Sequence, residues 1–491
     1  MSFSYVIAWL LPLATGVAAY LAFDRARAAG WRCSAAGYGF VFGLLLVSAL
    51  TALSARVDTA HAWAHAAPWL VAVAMASIAL IWLRGKNGSP LTQQFHRWGK
   101  GLGEGALSTT TPRWQRIALL VLLASLAFRA AIALREIWLR PTYPWDAWSA
   151  WMVKAKSWFG LGYYTPYVAM HDWMAQAPDA NWYTGVAQHY PNALAWVEVW
   201  FASAAGGWIE PLINLPWLGL WIALLFAHYG QWRALGLSNT RALFFVYVLG
   251  SLPLLTVHAA LAGYADIWIA VLFAFAVLAW TRWLQQRDIG QLALALVCAA
   301  VLPTIKLEGY VWMASLLAAI AFGALPSRWR WRCVILAVAA FLALFVFGGA
   351  KALLGLTGHA DASGQLALVL APSWHGEAIV GIGRTLFAQP NWHLLWWLVP
   401  PIVIWHRSEL AARDWLWLPG LLLAVCIGLL LFLFLATDAS RWAQSFTAIN
   451  RLVLQLTPAV VSLLALLLRD VDFPAAERGT DPTRDPRSDP G

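Results

Sequence analysis

The chain has 491 residues, 61% of them hydrophobic and only 11% charged, against about 25% charged in soluble domains, and its mean hydropathy is +0.64. That balance excludes a soluble globular surface and suits a polytopic membrane protein whose exterior faces lipid. The net charge of +10 does not point to nucleic acid, because the arginines and lysines are scattered through short loops between apolar runs, the positive-inside arrangement.

Apolar runs long enough to cross about 30 Å of hydrocarbon recur along the whole chain. They fall at 3–23, 37–54, 66–83, 116–135, 209–229, 242–259, 266–284, 290–304, 308–325, 333–356, 391–405, 415–436 and 448–468. The first run has no Lys or Arg before it, and Asp24 and Arg25 follow it. A secretory signal has the reverse charge layout, so this run reads as a retained span. The fold class is therefore an all-α polytopic membrane protein with about 13 transmembrane helices plus interfacial helices in the outer loops.

Basic loops set the orientation. Arg25, Arg27 and Arg32 follow the first span; Arg84, Lys86, Arg97, Lys100 and Arg113 follow the third. Arg233 with Arg241, Arg282 with Arg287, the group Arg328, Arg330 and Arg332, and Arg407 with Arg413 mark later inner loops. All share one side only if 192–205, which carries Glu198 and ends in Gly206-Gly207, lies in the interface or re-enters without crossing. The amino terminus is then outside and the carboxyl terminus inside. The 34 tryptophans fit residence at the headgroup level. Cys298 and Cys426 sit in apolar runs, and Cys33 and Cys333 sit beside arginines in inner loops, so the four cysteines form no disulfide framework. The tail from Asp470 is rich in Pro, Asp and Arg and reads as disordered. The 357–390 loop has apolar stretches too short to span; a lid over a lipid-accessible site and an inert connector are equal readings.

With this orientation, acids and isolated basic residues embedded in apolar or aromatic sequence all fall on the outer side. Asp146 stands in Pro144-Trp145-Asp146-Ala147-Trp148, either as the N-cap of an interfacial helix or as a base taking a proton from an attacking hydroxyl beside a dry pocket. Lys154 and Lys156 follow two turns later, as contacts to lipid phosphate or an anionic leaving group, or as snorkelling lysines. His189 in His189-Tyr190-Pro191 is either structural or a partner for phosphate or for Asp146. Asp266 closes Gly263-Tyr264-Ala265-Asp266 at a span start, capping the helix, or helping to bind a divalent cation or a sugar hydroxyl. Lys306 and Glu308 interrupt two apolar spans after Pro303, where charges line a cavity or pair to tie the helices together. Lys306 can hold phosphate as a point charge, and Arg451, in the outer turns of the last span, can grip it with two donors.

Taken together, the aromatic-flanked Asp146, the Tyr190-Pro191 re-entry, the Gly-Tyr-Ala-Asp ending at Asp266, the Lys306-x-Glu308-Gly309 segment and the late arginine resemble the GT-C superfamily. These are polyprenyl-phosphate-sugar-dependent integral membrane glycosyltransferases, including protein O-mannosyltransferases and lipid A aminoarabinose transferases. The resemblance covers roughly 115–470. It implies a three-span amino-terminal addition over 1–114, a catalytic domain over 115–470 and a cytoplasmic tail over 471–491. Asp146 takes the place of the family's first-loop acid, the base or acceptor-orienting residue. Many relatives carry two adjacent acids there, whereas Ala147 follows Asp146 here, so no metal ligands are assigned, no cofactor is specified and a divalent cation is left open.

What the resemblance implies is a glycosyltransferase of the cell inner membrane whose active site faces the periplasm. Asp146 would activate the acceptor, an envelope glycan, lipid or protein, while Lys306, Arg441 or Arg451 neutralises the departing polyprenyl phosphate. Lys154, Lys156, His189, Tyr190, Asp266 and Glu308 complete the substrate-binding set. The alternatives are a lipid-linked oligosaccharide ligase or polymerase, and a transporter or flippase of lipid-linked sugars. The last calls for charges deep in the bilayer and repeated halves, and the charges here cluster at one face.

Overall fold

The computed structural model describes residues 3–24, 26–54, 58–86, 112–177, 180–346 and 374–470. The middle of the basic loop after the third span, the end of the run at 333–356, the first half of the 357–390 loop and the carboxyl-terminal tail lie outside the described residues. The rest is mainly helical, with almost no sheet. That follows from an apolar chain in lipid, where the backbone must satisfy its own hydrogen bonds.

Among the described residues, eight helices are long and apolar enough to cross a membrane. They are α1 (Phe3–Phe23), α2 (Trp31–Ser54), α3 (Ala62–Lys86) and α4 (Arg113–Leu139), followed after a long loop by α8 (Glu210–Ala234), α11 (Asp266–Gln286), α18 (Asp414–Ala436) and α20 (Ile449–Leu467). The run expected to span at 242–259 is two helices, α9 (Asn239–Gly250) and α10 (Pro253–Ala260), bent by 64°. Pro253 stands at the break, where a helix can restart without the missing N–H. Four other expected spans are short or only partly described: α12 (Ile289–Ile305), α13 (Glu308–Ala324), α14 (Ser327–Val346) and α16 (Leu395–Trp405). At 17 residues each, α12 and α13 are about 25 Å long.

The long loop after α4 carries a five-residue π-helical turn (Ala147–Trp151) running into α5 (Met152–Leu161), then α6 (Met170–Met174) and α7 (Ala193–Ala205). Two two-residue strands, β1 (Tyr167–Val168) and β2 (Tyr183–Thr184), pair in parallel with Tyr167 opposite Tyr183. The remaining short helices are α15 (Ala378–Gly383), which runs into a second π-helical turn (Arg384–Ala388), α17 (Arg407–Ala412) and α19 (Ser440–Gln444). At 13 residues α7 is too short to cross alone. Its Glu198 side chain is fully buried inside the protein, with neither carboxyl oxygen hydrogen-bonded among the described residues. The helix is held among the first three: Trp200 donates to the carbonyl of Ala8 (3.1 Å), Ser48 to that of Ala193 (2.8 Å), and the Trp63 amide to the Ser203 hydroxyl (3.0 Å).

The centre of the bundle is α11, buried at every residue from Asp266 to Leu284. A helix with no lipid-facing stripe must be enclosed by others, and this one carries a charged residue near each end. Arg282 looks from its sequence like a surface arginine of an inner loop, yet it is fully buried against Asp24 at 3.0 Å. The Tyr20 hydroxyl (3.1 Å) and the Gln291 amide (3.4 Å) also donate to Asp24. This pair ties α1 to α11, and the Tyr38 hydroxyl, donating to the Phe275 carbonyl at 2.9 Å, ties α2 to the same helix. Asp266 stands 16 residues from Arg282, or about 24 Å along the helix, so the two charged groups mark opposite ends of the bundle.

Candidate functional site

Four segments bring charge to the Asp266 end of α11. Asp266 lies in the first turn and caps nothing with its side chain. Its Oδ1 accepts from Lys306 Nζ at 2.9 Å and Gln455 Nε2 at 2.7 Å, and its Oδ2 accepts from Arg451 Nε at 2.8 Å. Arg451 Nη2 adds a further contact to Oδ2 at 2.7 Å. Lys306, in the gap between α12 and α13, also meets Glu308 Oε1 at 3.1 Å. The other edge of Arg451 reaches Asp146, through Nη1 to Oδ1 at 3.3 Å and through a shorter contact from Nη2 to Oδ2. The Tyr264 ring supports the guanidinium 4.7 Å from its centroid, a favourable placement for a cation.

Local sequence explains why the segments meet. Gly263 has φ +102°, and a Cβ there would lie 2.3 Å from the Cβ of Ala147. The loop leading to Asp266 can therefore lie directly against the turn that carries Asp146. The same contact accounts for Ala147, which is fully buried: an acid at that position would have to occupy space that the Gly263 backbone fills. Gly309 serves the Lys306 gap similarly, since a Cβ there would meet the Leu302 carbonyl oxygen at 2.1 Å.

The network is graded in exposure. The Asp266 side chain is 0% exposed and that of Lys306 5%, whereas those of Asp146 and Arg451 are 20% and 21% and that of Glu308 is 31%. Asp266 is thus the closed interior and the Asp146–Arg451 pair the open edge. Asp146 has helical backbone angles and makes no cap hydrogen bond, so the helix-cap reading of this residue does not hold. Nor does it stand as a lone carboxylate in a dry pocket, because a guanidinium covers both its oxygens. Both cations pair with two carboxylates, but Lys306 is closed off while Arg451 reaches the open edge, which favours Arg451 as the cation that meets a ligand.

The other predicted residues lie around this network. Lys154 does not snorkel; it is buried and donates to the carbonyls of Gln188 (3.0 Å) and Tyr190 (2.8 Å) and to Asn192 Oδ1 (3.0 Å). Burial lowers its pKa to about 8. Trp151 donates to the Pro191 carbonyl at 3.0 Å and packs edge-on against Tyr190, so the Tyr-Pro segment is fastened to the helix that follows Asp146. The Tyr190 hydroxyl pKa is raised, by burial first and then by the charge of Glu308. His189 is exposed and packs its ring 4.9 Å from that of Tyr190. Lys156 lies over Trp208 and Arg441 over Trp442, both exposed, and neither joins the network among the described residues.

Three members were missed by sequence reasoning. Gln455 lies one turn after Arg451 on α20, a polar pair at i and i+4 in an otherwise apolar stretch, and that spacing was a usable signal. Trp312 donates to Gln455 Oε1 at 2.6 Å, and nothing in its sequence setting distinguishes it from the other tryptophans. His258 is buried beside Tyr264, its ring nitrogen Nδ1 2.9 Å from the Leu254 carbonyl and its Nε2 unpartnered. It lies beyond the bend between α9 and α10, which a single uninterrupted span did not foresee.

Among the described residues, no group of three or more His, Cys, Asp or Glu side chains is arranged to hold a metal ion. The carboxylates of the network face arginine and lysine donors, an arrangement that does not fit a divalent cation. No family model, no curated protein and no solved structure matches the chain. Architecture and site together define a helical polytopic membrane protein whose five-residue ion-pair network, among the described residues, lies at the Asp266 end of α11.

Proposed function

We propose that this protein is a membrane glycosyltransferase, moving a sugar from a polyprenyl-phosphate-linked donor to an acceptor on the periplasmic face of the cell inner membrane. One observation carries the reading: four separate segments deliver Asp146, Asp266, Lys306, Glu308 and Arg451 to one end of the bundle, with an acid and a guanidinium on the open side. Buried charge in a membrane bundle is costly and marks a site, and this pair has the two chemistries that the transfer needs. The acceptor hydroxyl gives its proton to the Asp146 carboxylate as its oxygen bonds to the anomeric carbon. The bond from that carbon to the phosphate oxygen breaks, and its electron pair goes to the phosphate, whose charge Arg451 neutralises. Asp266 and Lys306 hold Arg451 in place. The topology that goes with this reading has about 13 crossings with the amino terminus outside.

Lipid-linked compounds that accumulate in cells lacking the protein, supplied to the purified protein in nanodiscs, provide the test. Transfer should occur with the native chain and fall by about 10²–10⁴-fold in Asp146→Asn. Near-normal turnover in that variant would remove Asp146 from the chemistry.

A further inference from the structure

The two edges of Arg451 are held unequally. Nε donates to Asp266, which has no exposed surface and accepts from Lys306 and Gln455 as well, and Nη2 is shared, lying 2.7 Å from Asp266 Oδ2 and donating to Asp146 Oδ2. Nη1 meets only Asp146, whose other neighbours supply it no described hydrogen bond, and both members of that pair reach the surface of the site. An anion entering from the open side therefore meets a guanidinium anchored from behind and occupied in front by a single replaceable carboxylate. The Tyr264 ring keeps the guanidinium plane in position when the front partner changes.

From this geometry, and resting on the glycosyltransferase reading, we infer that Arg451 is an exchange clamp: the donor phosphate displaces Asp146 from its outer edge and so releases the carboxylate to act as base. Phosphate offers the same paired oxygens as a carboxylate to the arginine fork, so the exchange replaces one two-donor contact by another. The freed Asp146 then lies beside a second anion, which favours its protonated form and makes it a better proton acceptor. Donor must bind before the acceptor is activated, and in the donor-free protein the base is masked. After transfer the departing polyprenyl phosphate leaves Arg451, the proton on Asp146 passes to water, and the Asp146–Arg451 pair closes again.

The exchange predicts an affinity change of unusual sign. Equilibrium binding of dodecyl phosphate to the protein in phosphatidylcholine nanodiscs should tighten about tenfold in Asp146→Asn, because the competitor for the outer edge is gone. Glu308→Gln removes a charge from the same network but leaves Arg451 engaged, and should tighten binding by less than about threefold. Arg451→Lys should weaken it; if that variant fails to fold because Asp266 loses its fork, the two acid variants still decide. Inorganic phosphate as the probe separates the sources: the same order of affinities identifies the phosphate group as the recognised element, and an order seen only with dodecyl phosphate adds the alkyl chain, either supporting the exchange. Binding by the native chain with no tightening in Asp146→Asn, or with equal tightening in Glu308→Gln, overturns the exchange and leaves the glycosyltransferase reading standing. No binding by any variant, together with no transfer from the accumulated donor, overturns both.

Discussion

Asp266 and Asp146 share one arginine but should fail differently when neutralised. In Asp266→Asn the buried carboxylate is replaced by an amide whose NH2 faces either the Lys306 and Gln455 donors or those of Arg451. Breaking a buried pair typically costs about 3–5 kcal/mol, because the remaining charge is left uncompensated. Here two cations are affected, but Lys306 keeps Glu308 and Arg451 keeps Asp146, which places the expected loss near the lower end, about 3 kcal/mol. Asp146→Asn removes a pair that is about one-fifth exposed on each side and leaves Arg451 held by Asp266, so its cost should be no more than about 1 kcal/mol. Thermal unfolding in detergent, followed by tryptophan fluorescence, reads the contrast. For a chain of this size about 1–2 °C accompanies each kcal/mol, extrapolating the trend of smaller domains. Asp266→Asn should then melt roughly 5 °C below the native chain, with Asp146→Asn within about 1–2 °C of it. Equal shifts for the two variants would refute the division into a structural interior and a working edge.

Three other outcomes follow from the geometry. Gly263→Ala adds a Cβ 2.3 Å from that of Ala147 at φ +102°; it should cost about 1–3 kcal/mol and separate Asp146 from Asp266, giving a lowered melting point together with impaired transfer. Lys154 has a folded pKa of about 8 against 10.5 for the free side chain, so between these values the unfolded chain holds a proton that the folded chain has released. Its contribution to stability therefore rises with pH across that window and is flat below it, and melting curves of Lys154→Met from pH 7 to 10.5 should lack that slope. A cysteine replacing the exposed Val186, in a chain freed of its native cysteines, should react with an impermeant thiol reagent from the periplasmic side, whereas one near residue 95 should not; the reverse pattern would invert the proposed orientation.

Much of the site was legible as a set of anomalies. A carboxylate between tryptophans, an acid at a span start, a Lys-x-Glu after a proline and an arginine inside a final span each conflict with a lipid-facing helix, and all five charged residues of the network come from those segments. The roles were less legible than the positions. Lys154 and Lys156 are two residues apart with the same charge, yet one is buried on three oxygens and the other is exposed over Trp208. No local pattern separates them, because the acceptors for Lys154 come from the end of the loop more than thirty residues away.

Hydropathy alone determined that the protein is helical and membrane-embedded, because a long apolar chain in lipid has few ways to satisfy its backbone. Tertiary structure alone decided which charge faces which. Arg282 and Arg451 both sit in apolar helices, but one is closed against Asp24 at the far end of α11 while the other bridges a buried and an open acid. Ion pairing depends on distances of a few ångströms between residues that are hundreds apart in the chain, and on the burial that decides whether a pair is fixed or exchangeable. Those quantities arise only when the helices pack.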